Sequence, residues 1–244
     1  MQDPFCHHPE LRPLIKDPLA SDLRNFEPQD LAVRHPELDI SDFLVPKSAR
    51  EAERHAYLAA HGAQDLWVFG YGSLCWDPAF QFEEVRRAKV TGFQRRFIVA
   101  DIYGGRGTKD APGLMAALDH SPDVQGACDG LAFRINGKTL ESETPQIWAR
   151  ERAVSAYQQE TVSVQLSDGV VQALTFVADH GAPIIRPEIS REERVRFLAT
   201  GTGFLGNSFD YGVNLETNLG ALGIKDPDLS DLLISARRHK QGLD

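Results

Sequence analysis

One glutamate in the sequence has the features of a general base. Glu151 follows Trp148-Ala149-Arg150 in a segment that is predicted to be helical, where residues three and four apart share a face. Its neighbours on that face are mostly apolar: Ile147, Trp148, Val154 and Ser155. A carboxylate directed into apolar surroundings has a raised pKa, because burial disfavours its charged form. Such a group is suited to accept and return a proton near neutral pH.

A structural ion pair is the open alternative for Glu151. No Lys or Arg lies at the helical offsets from it, and Arg150 and Arg152 are expected on other faces of the helix. An arginine from another element, Arg106 or Arg134, could still pair with this carboxylate. Because structural ion pairs are common, residue spacing leaves both interpretations open.

The second candidate site is a glycine-rich turn that follows the apolar run Trp67-Val68-Phe69. In Gly70-Tyr71-Gly72-Ser73-Leu74 two glycines flank an aromatic residue, so the backbone can turn sharply and its N–H groups can approach a ligand. Successive N–H groups in such a turn form a concave site for an anion such as a carboxylate. A plain tight turn is an equally good interpretation of the spacing.

Other segments partly match known sequence motifs, but the residues or predicted elements around them do not fit those motifs. Gly201–Gly206 matches G-x-G-x-x-G but follows a predicted helix, so a loop between helices is favoured over a dinucleotide site. Gly72-Ser73 lacks the flanking glycines of a nucleophile elbow, since positions 71 and 75 are Tyr and Cys. Cys75 is interpreted as a buried apolar residue and not as a nucleophile. Cys6-His7-His8 is interpreted as a frayed terminus and not as a metal site.

The composition is that of a globular protein, with 42% hydrophobic and 25% charged residues among 244. The net charge of −9 and the absence of a basic stripe argue against nucleic-acid binding, because phosphate contacts need clustered Lys and Arg. No run approaches the roughly 18 apolar residues of a membrane span, and the first residues do not resemble a secretory signal. Three widely spaced cysteines predict a reducing, cytoplasmic location. The oligomeric state stays open.

The predicted elements are those of an α+β protein, since strands come mostly first and helices last. Residues 1–64 are interpreted as an N-terminal extension packed on a main domain of residues 65–244, with a flexible tail as the alternative. Strands are predicted at residues 67–69, 84–90, 93–100, 114–118, 127–135, 161–166 and 170–178.

The predicted helices begin and end at recognisable capping residues. One runs from a capping box at Ser48-Ala49-Arg50-Glu51 to Gly62, and another follows Thr144 over residues 145–155. Three helices close the chain: one from a capping box at Ser190, one over residues 209–222, and one from Asp226.

The two candidate segments together resemble the ChaC-like branch of the γ-glutamylcyclotransferases. Over about residues 66–235 the chain has, in the family's order, Gly70-Tyr71-Gly72-Ser73-Leu74, the loop Arg106–Gly113, the strand Gly130–Arg134, and Arg150-Glu151 followed by Tyr157. Gly203–Tyr211 and Leu222–Asp226 resemble the family's terminal loop and helices, although residues 207–211 match the usual Asn-x-x-Tyr pattern imperfectly.

This resemblance implies a mixed β-barrel with flanking helices, in which the glycine-rich turn and Glu151 line one cavity. It implies conversion of glutathione to 5-oxoproline and cysteinylglycine without metal or organic cofactor, with Glu151 as the catalytic residue. The substrate-binding residues it implies are Val68, Phe69, Gly70, Tyr71, Gly72, Ser73, Leu74, Arg106, Tyr157 and Tyr211. Two alternatives stay open: activity on other γ-glutamyl amino acids or amines, and a non-catalytic regulatory protein that binds γ-glutamyl compounds.

Overall fold

A computed structural model describes residues 3–36 and 40–243. Within these residues seven strands form one sheet. The strands are β1 (Leu66–Gly70), β2 (Glu84–Thr91), β3 (Phe93–Tyr103), β4 (Thr108–His120), β5 (Ala127–Ile135), β6 (Tyr157–Leu166) and β7 (Gly169–Ala178). Each predicted strand is present, and the largest difference is β4, which begins six residues earlier than expected.

Five of the strands close into a mixed barrel. They pair in the order β1-β5-β2-β6-β7 through antiparallel ladders, and β7 returns to β1 in parallel at Trp67↔Ala173 and Val68↔Leu174. Strands β3 and β4 form a long antiparallel hairpin that joins β7 at Leu118↔Val177. The expected mixed barrel with flanking helices is therefore confirmed.

Strand β1 is apolar throughout because both of its faces are covered. Side chains alternate across a strand, so Leu66 and Val68 pack in one apolar cluster while Phe69 and Tyr71 pack in another. A strand buried on both faces has a continuous apolar run instead of alternation. This packing fixes the direction in which the glycine-rich turn leaves the barrel.

The helices lie around the barrel and continue to the end of the chain. They are α1 (Gln29–Arg34), α2 (Lys47–His61), α3 (Leu140–Glu143), α4 (Pro145–Glu151), α5 (Arg191–Thr200), α6 (Ser208–Ala221) and α7 (Pro227–Lys240). A small hairpin of β8 (Thr202–Gly203) and β9 (Gly206–Asn207) connects α5 to α6. The capping box at Ser190 is present, and Gly62 ends α2 with a φ of 82°.

The capping box predicted at Ser48 is absent. Helix α2 begins two residues earlier, at Lys47 after Pro46, and no side chain caps its first turn. Glu51 instead forms an ion pair with Arg54 one turn later, at 2.8 Å. The Glu51 carboxylate is therefore engaged away from the helix start.

The helix predicted over residues 145–155 is also shorter than expected, because it ends at Glu151. The next residues pair with the N-terminal extension: the N–H of Val45 donates to the carbonyl of Ala153 at 3.0 Å, and Leu44 forms an isolated β-bridge with Val154. Val154 and Ser155 are therefore not on the helical face of Glu151, which is the last residue of α4.

The described part of residues 1–64 contacts the rest of the molecule. Leu11, Ile15 and Leu58 are buried in the main apolar cluster, and Arg24 forms an ion pair with Glu143. Residues 1, 2 and 37–39 lie outside the described residues. The division of the chain at residue 64 stays a prediction.

No helix in the described ranges is long and apolar enough to cross a membrane. In the same part of the chain, no group of three or more His, Cys, Asp and Glu side chains is arranged to hold a metal ion.

Candidate active site

Glu151 is held at the end of α4 by the buried side of that helix. Ile147 and Trp148, four and three residues earlier, are completely buried. The Trp148 indole also donates a hydrogen bond from Nε1 to Oε1 of Gln159 on β6, at 3.2 Å. These contacts fix the helix against the barrel and leave Glu151 partly exposed at its end.

The carboxylate of Glu151 is not part of an ion pair within the described residues. Arg134, one of the two arginines proposed as its partner, pairs instead with Asp65, Glu83 and Glu84. The other, Arg106, packs over the ring of Tyr211, with its guanidinium 4.8 Å from the ring centroid. The structural ion pair that the sequence left open is therefore not formed.

The pKa of Glu151 is raised. Burial is the main cause, because it disfavours the charged carboxylate, and the positive charge of the adjacent Arg150 acts in the opposite direction. A partly exposed carboxyl group with a raised pKa and no fixed hydrogen-bond partner can exchange a proton with a ligand.

The hydroxyl groups of two tyrosines, Tyr157 and Tyr211, contact the same residue of β4, near Glu151. Tyr157 donates a hydrogen bond to the carbonyl of Ala116 at 3.3 Å, and the N–H of Ala116 donates to the hydroxyl of Tyr211 at 3.2 Å. Burial raises the pKa of both tyrosines, and the negative charge of Glu151 adds to this effect. Both side chains therefore stay neutral and can donate hydrogen bonds.

The glycine-rich turn follows β1 and leads directly into a 3-10 helix at Ser73–Cys75. The first N–H groups of a helix have no acceptor within it, so those at the start of this segment need an acceptor from elsewhere. A side chain of β3 also holds the turn, because Nε of Arg95 donates a hydrogen bond to the carbonyl of Tyr71 at 2.8 Å. Glycine is favoured at position 70, because a Cβ atom there would lie 3.0 Å from Cβ of Leu74, which would have to shift.

The Tyr71 side chain joins the group around Glu151. Its pKa is raised well above the usual range, mainly by burial and then by the charges of Tyr157 and Glu151. The structure thus brings the glycine-rich turn, Glu151, Tyr157 and Tyr211 together at one place.

Arg150 connects the two halves of this site. Its guanidinium donates to Oγ of Ser73 at 2.9 Å and to the carbonyls of Asp77 and Pro78, just beyond the glycine-rich turn. It lies on a different face from Glu151, as expected, but its contact with the turn was missed. In the sequence, Arg150 was named only as part of the Arg150-Glu151 pair in the family's pattern, without a role of its own.

Arg106 and Asp101 form the far side of the site. The backbone N–H of Arg106 donates to the carboxylate of Asp101, which is only 4% exposed, and burial raises the pKa of that carboxyl group. Asp101 was not identified from the sequence, although a carboxylate directly after the apolar run 97–100 is unusual. Nη1 of Arg106 donates to the carbonyl of Leu205 at 2.9 Å.

Some expected site residues have side chains that face the core. Val68 and Phe69 are completely buried and Leu74 is 6% exposed, so only their backbone is available to a ligand. Asn207 caps α6, where its side chain accepts a hydrogen bond from the N–H of Asp210.

The motifs set aside in the sequence have structural roles. Burial raises the pKa of Cys75 to about 12, and its thiol donates to the carbonyl of Gly70, so it is not a thiolate nucleophile. The segment Gly201–Gly206 is the β8–β9 hairpin between two helices, not the start of a helix after a strand.

Comparison with known proteins adds to this geometry. Residues 66–239 match the family model described as ChaC-like protein. A glutathione-specific γ-glutamylcyclotransferase of Escherichia coli (strain K12) is 34% identical over 174 residues, which cover 71% of this chain and 73% of that protein. Glutathione-specific γ-glutamylcyclotransferase 1 of Danio rerio is 30% identical, over 70% of this chain and 85% of its own length.

The fold of a solved structure is also similar. The crystal structure of a selenomethionine-labelled γ-glutamyl cyclotransferase specific to glutathione from yeast superposes with a TM-score of 0.65 at 20% identity. The superposition covers 73% of this chain and 98% of that one. Because the family model spans most of the sequence, including the glycine-rich turn and Glu151, the chain belongs to the ChaC-like protein family.

Proposed function

We propose that this chain cleaves glutathione to 5-oxoproline and cysteinylglycine, with Glu151 as the general base and acid. The observation that carries the proposal is the Glu151 carboxyl group, which has a raised pKa and no ion-pair partner among the described residues, next to Arg150, which bonds to Ser73 of the glycine-rich turn. The names of the Escherichia coli and Danio rerio relatives support the choice of glutathione as the substrate.

The reaction needs no nucleophilic side chain, because the γ-glutamyl group carries its own nucleophile. The α-amine attacks the γ-carbonyl carbon, a new C–N bond closes the five-membered ring, and the C–N bond to the cysteine nitrogen breaks. Glu151 takes a proton from the α-ammonium group and returns it to the departing nitrogen. The second proton that the ring nitrogen loses as the lactam forms passes to the released amine, which leaves as an ammonium group. A buried, protonated Cys75 agrees with this mechanism, since no thiolate takes part.

Two physical effects supply the rate. Holding the γ-glutamyl chain in its folded, reactive conformation gives effective concentrations of about 10⁵ M or more. A positioned acid and base adds roughly 10²–10⁴-fold.

The other site residues bind the two ends of the substrate. Backbone N–H groups of Gly70–Leu74 bind the α-carboxylate, and Val68 and Phe69 anchor that turn in the core. Tyr71, Tyr157 and Tyr211 present their hydroxyl groups to the γ-glutamyl group. Arg106 lies on the far side and faces the leaving group.

Glu151→Gln tests the mechanism, because it keeps the shape of the side chain and removes the base. We expect release of 5-oxoproline from glutathione to fall by about 10²–10⁴-fold, with folding unchanged by circular dichroism. Glu188→Gln, at an exposed position, is the matched control and keeps wild-type activity. A folded Glu151→Gln protein with the wild-type rate would show that the mechanism is wrong.

A substrate panel tests the choice of glutathione. We expect a higher kcat/KM for glutathione than for γ-glutamyl-alanine, and a reversed order would favour activity on other γ-glutamyl compounds. Thermal stabilisation by glutathione without any turnover would identify a binding protein instead. The cytoplasmic location stays a prediction.

A further inference from the structure

A short segment of the N-terminal extension lies against the candidate site. Residues 40–45, here called the strap, precede α2 and lie outside the range that matches the family. The strap pairs with the link between Glu151 and Tyr157, through the bridge of Leu44 with Val154 and the hydrogen bond from Val45 to Ala153. The strap therefore contacts the chain directly between two proposed site residues.

Aromatic contacts connect this part of the extension to two loops. The Phe43 ring stacks on Tyr103 at the end of β3, with centroids 4.0 Å apart and planes 21° apart. The ring of His35, just after α1, stacks on Phe204 in the β8–β9 turn at 4.6 Å. Stacked pairs of this kind contribute beyond the area that they bury.

The two contacted loops form one unit around Arg106. The N–H of Phe204 donates to the carbonyl of Gly104, and the N–H of Leu205 donates to the carbonyl of Gly105, each at 2.8 Å. Arg106 lies in the first loop, and its guanidinium binds the carbonyl of Leu205 in the second. We call residues 103–107 and 203–206 together the Arg106 platform.

Arg106 is a cation that has no carboxylate partner for its guanidinium within the described part of the chain. Its contacts are the Leu205 carbonyl and the Tyr211 ring, and burial lowers its pKa. Arginine binds carboxylates with particular strength because its planar donors match their geometry. Glutathione has two carboxylates, and in the proposed function the glycine-rich turn binds the one on the γ-glutamyl group. The second, on the terminal glycine, is the one available to Arg106.

We propose that the strap determines substrate selectivity: it fixes the Arg106 platform so that γ-glutamyl peptides whose leaving group ends in a carboxylate are preferred. This proposal rests on the proposed function. Phe43 acts here as a positioning residue, because its ring contacts Tyr103 of the platform and not the reacting atoms.

Phe43→Ala tests the proposal with two substrates that differ in one group. Glutathione carries the terminal carboxylate, and glutathione C-terminal amide lacks it. We expect the wild-type protein to prefer glutathione, and Phe43→Ala to reduce the ratio of the two kcat/KM values by about tenfold. The loss appears as a higher KM for glutathione, while turnover of the amide is unchanged.

Companion variants separate selectivity from folding. Phe43→Tyr keeps the stacked ring and keeps the wild-type ratio, and Val33→Ala, at a side chain that is 81% exposed on α1, does the same. Arg106→Gln removes the preference, and adding Phe43→Ala to it causes no further loss of the ratio. His35→Ala, before the strap, tests the second stacked contact with the platform and also reduces the ratio. Phe43→Leu, which removes the stacked ring but keeps an apolar side chain, decides the role of the strap if Phe43→Ala does not fold.

Different experimental results would contradict the proposed function and the proposed role of the strap. A wild-type protein that releases no 5-oxoproline from either substrate overturns the proposed function, and this inference with it. An active wild-type protein whose preference for glutathione is unchanged by Phe43→Ala overturns the role of the strap alone.

Discussion

At the residue scale, the adjacent side chains Arg150 and Glu151 have different tasks that are coupled by charge. Arg150 binds Ser73 and the carbonyls beyond it, while Glu151 at the helix end has no ion-pair partner among the described residues. Burial raises the pKa of Glu151, and the charge of Arg150 limits that rise. The proton affinity of the proposed base is therefore set partly by a residue that also holds the glycine-rich turn.

This coupling predicts a pH effect. The base acts only when deprotonated, so kcat/KM for glutathione falls as the pH drops through the pKa of Glu151, at a higher pH than for an ordinary glutamate. Arg150→Met removes the nearby positive charge, and we expect it to move this acid limb to still higher pH. Arg150→Lys keeps the charge, so the limb stays near its wild-type position. The measurement is the pH dependence of kcat/KM, which reports groups of the free enzyme.

Arg191→Met is the control for this experiment, since Arg191 pairs with Asp231 on the surface. Its pH profile stays that of the wild-type protein. An acid limb that does not move in Arg150→Met would contradict the electrostatic role and leave Arg150 with only its hydrogen bonds to the turn.

At the element scale, the Arg106 platform is positioned by contacts of backbone with backbone. A Cβ atom on Gly113 of β4 would lie 2.4 Å from the carbonyl oxygen of Arg106, and one on Gly201 would lie 2.4 Å from Cα of Gly113. Real Cβ atoms do not approach so closely, so the start of β4, the loop before it and the end of α5 fit together only with glycine.

Gly113→Ala is therefore expected to destabilise the protein. Forcing a methyl group into a closely packed site costs about 1–3 kcal/mol, and we expect the midpoint of urea unfolding to fall accordingly. Gly169→Ala, at the start of β7, is the matched control, because nothing lies within 4 Å of its added Cβ. Equal midpoints for the two variants would show that the loop moves aside at no cost.

The sequence predicts most elements of this fold because their boundaries depend on local chemistry. The predicted range of β5 is the observed one, and the capping box at Ser190 forms as expected. The end of α4 at Glu151 is different, since the residues after it are held by the strap, more than 100 positions earlier in the chain. Local patterns carry no information about such a contact.

The same limit applies to the candidate site. Glu151 was identified because it is a charged residue on a mostly apolar helix face. The glycine-rich turn was identified because two glycines flank an aromatic residue directly after an apolar run. Asp101 and Arg150 were missed because their importance comes from loops that only the folded chain brings to them. The parallel contact of β1 with β7, which closes the barrel, is long-range in the same way.

At the scale of the whole molecule, the most buried of several ion pairs between residues 1–64 and the rest of the chain joins Arg24 to Glu143. Arg24 binds Glu143 through both of its terminal nitrogens, at 2.8 and 2.9 Å, and the N–H of Gln81 donates to the same carboxylate at 2.7 Å. Glu143 is only 3% exposed. Burial alone would raise its pKa, but the bonds from Arg24 and Gln81 more than offset this, so the pKa lies below its usual range.

Removing Arg24 leaves this carboxylate buried without its partner, which costs about 3–5 kcal/mol in comparable cases. We expect Arg24→Met to lower the free energy of unfolding by that order at neutral pH, whereas Arg12→Met, in an exposed pair with Asp3, changes it little. In the wild-type protein the depressed pKa stabilises the fold above the usual carboxyl range, and this stabilisation is lost as the pH falls through the folded value. In Arg24→Met the unpaired Glu143 binds a proton more readily in the folded state. The difference in the free energy of unfolding between the variant and the wild type therefore becomes smaller as the pH falls. Denaturant unfolding at several pH values measures this, and a difference that stays constant with pH would contradict the prediction.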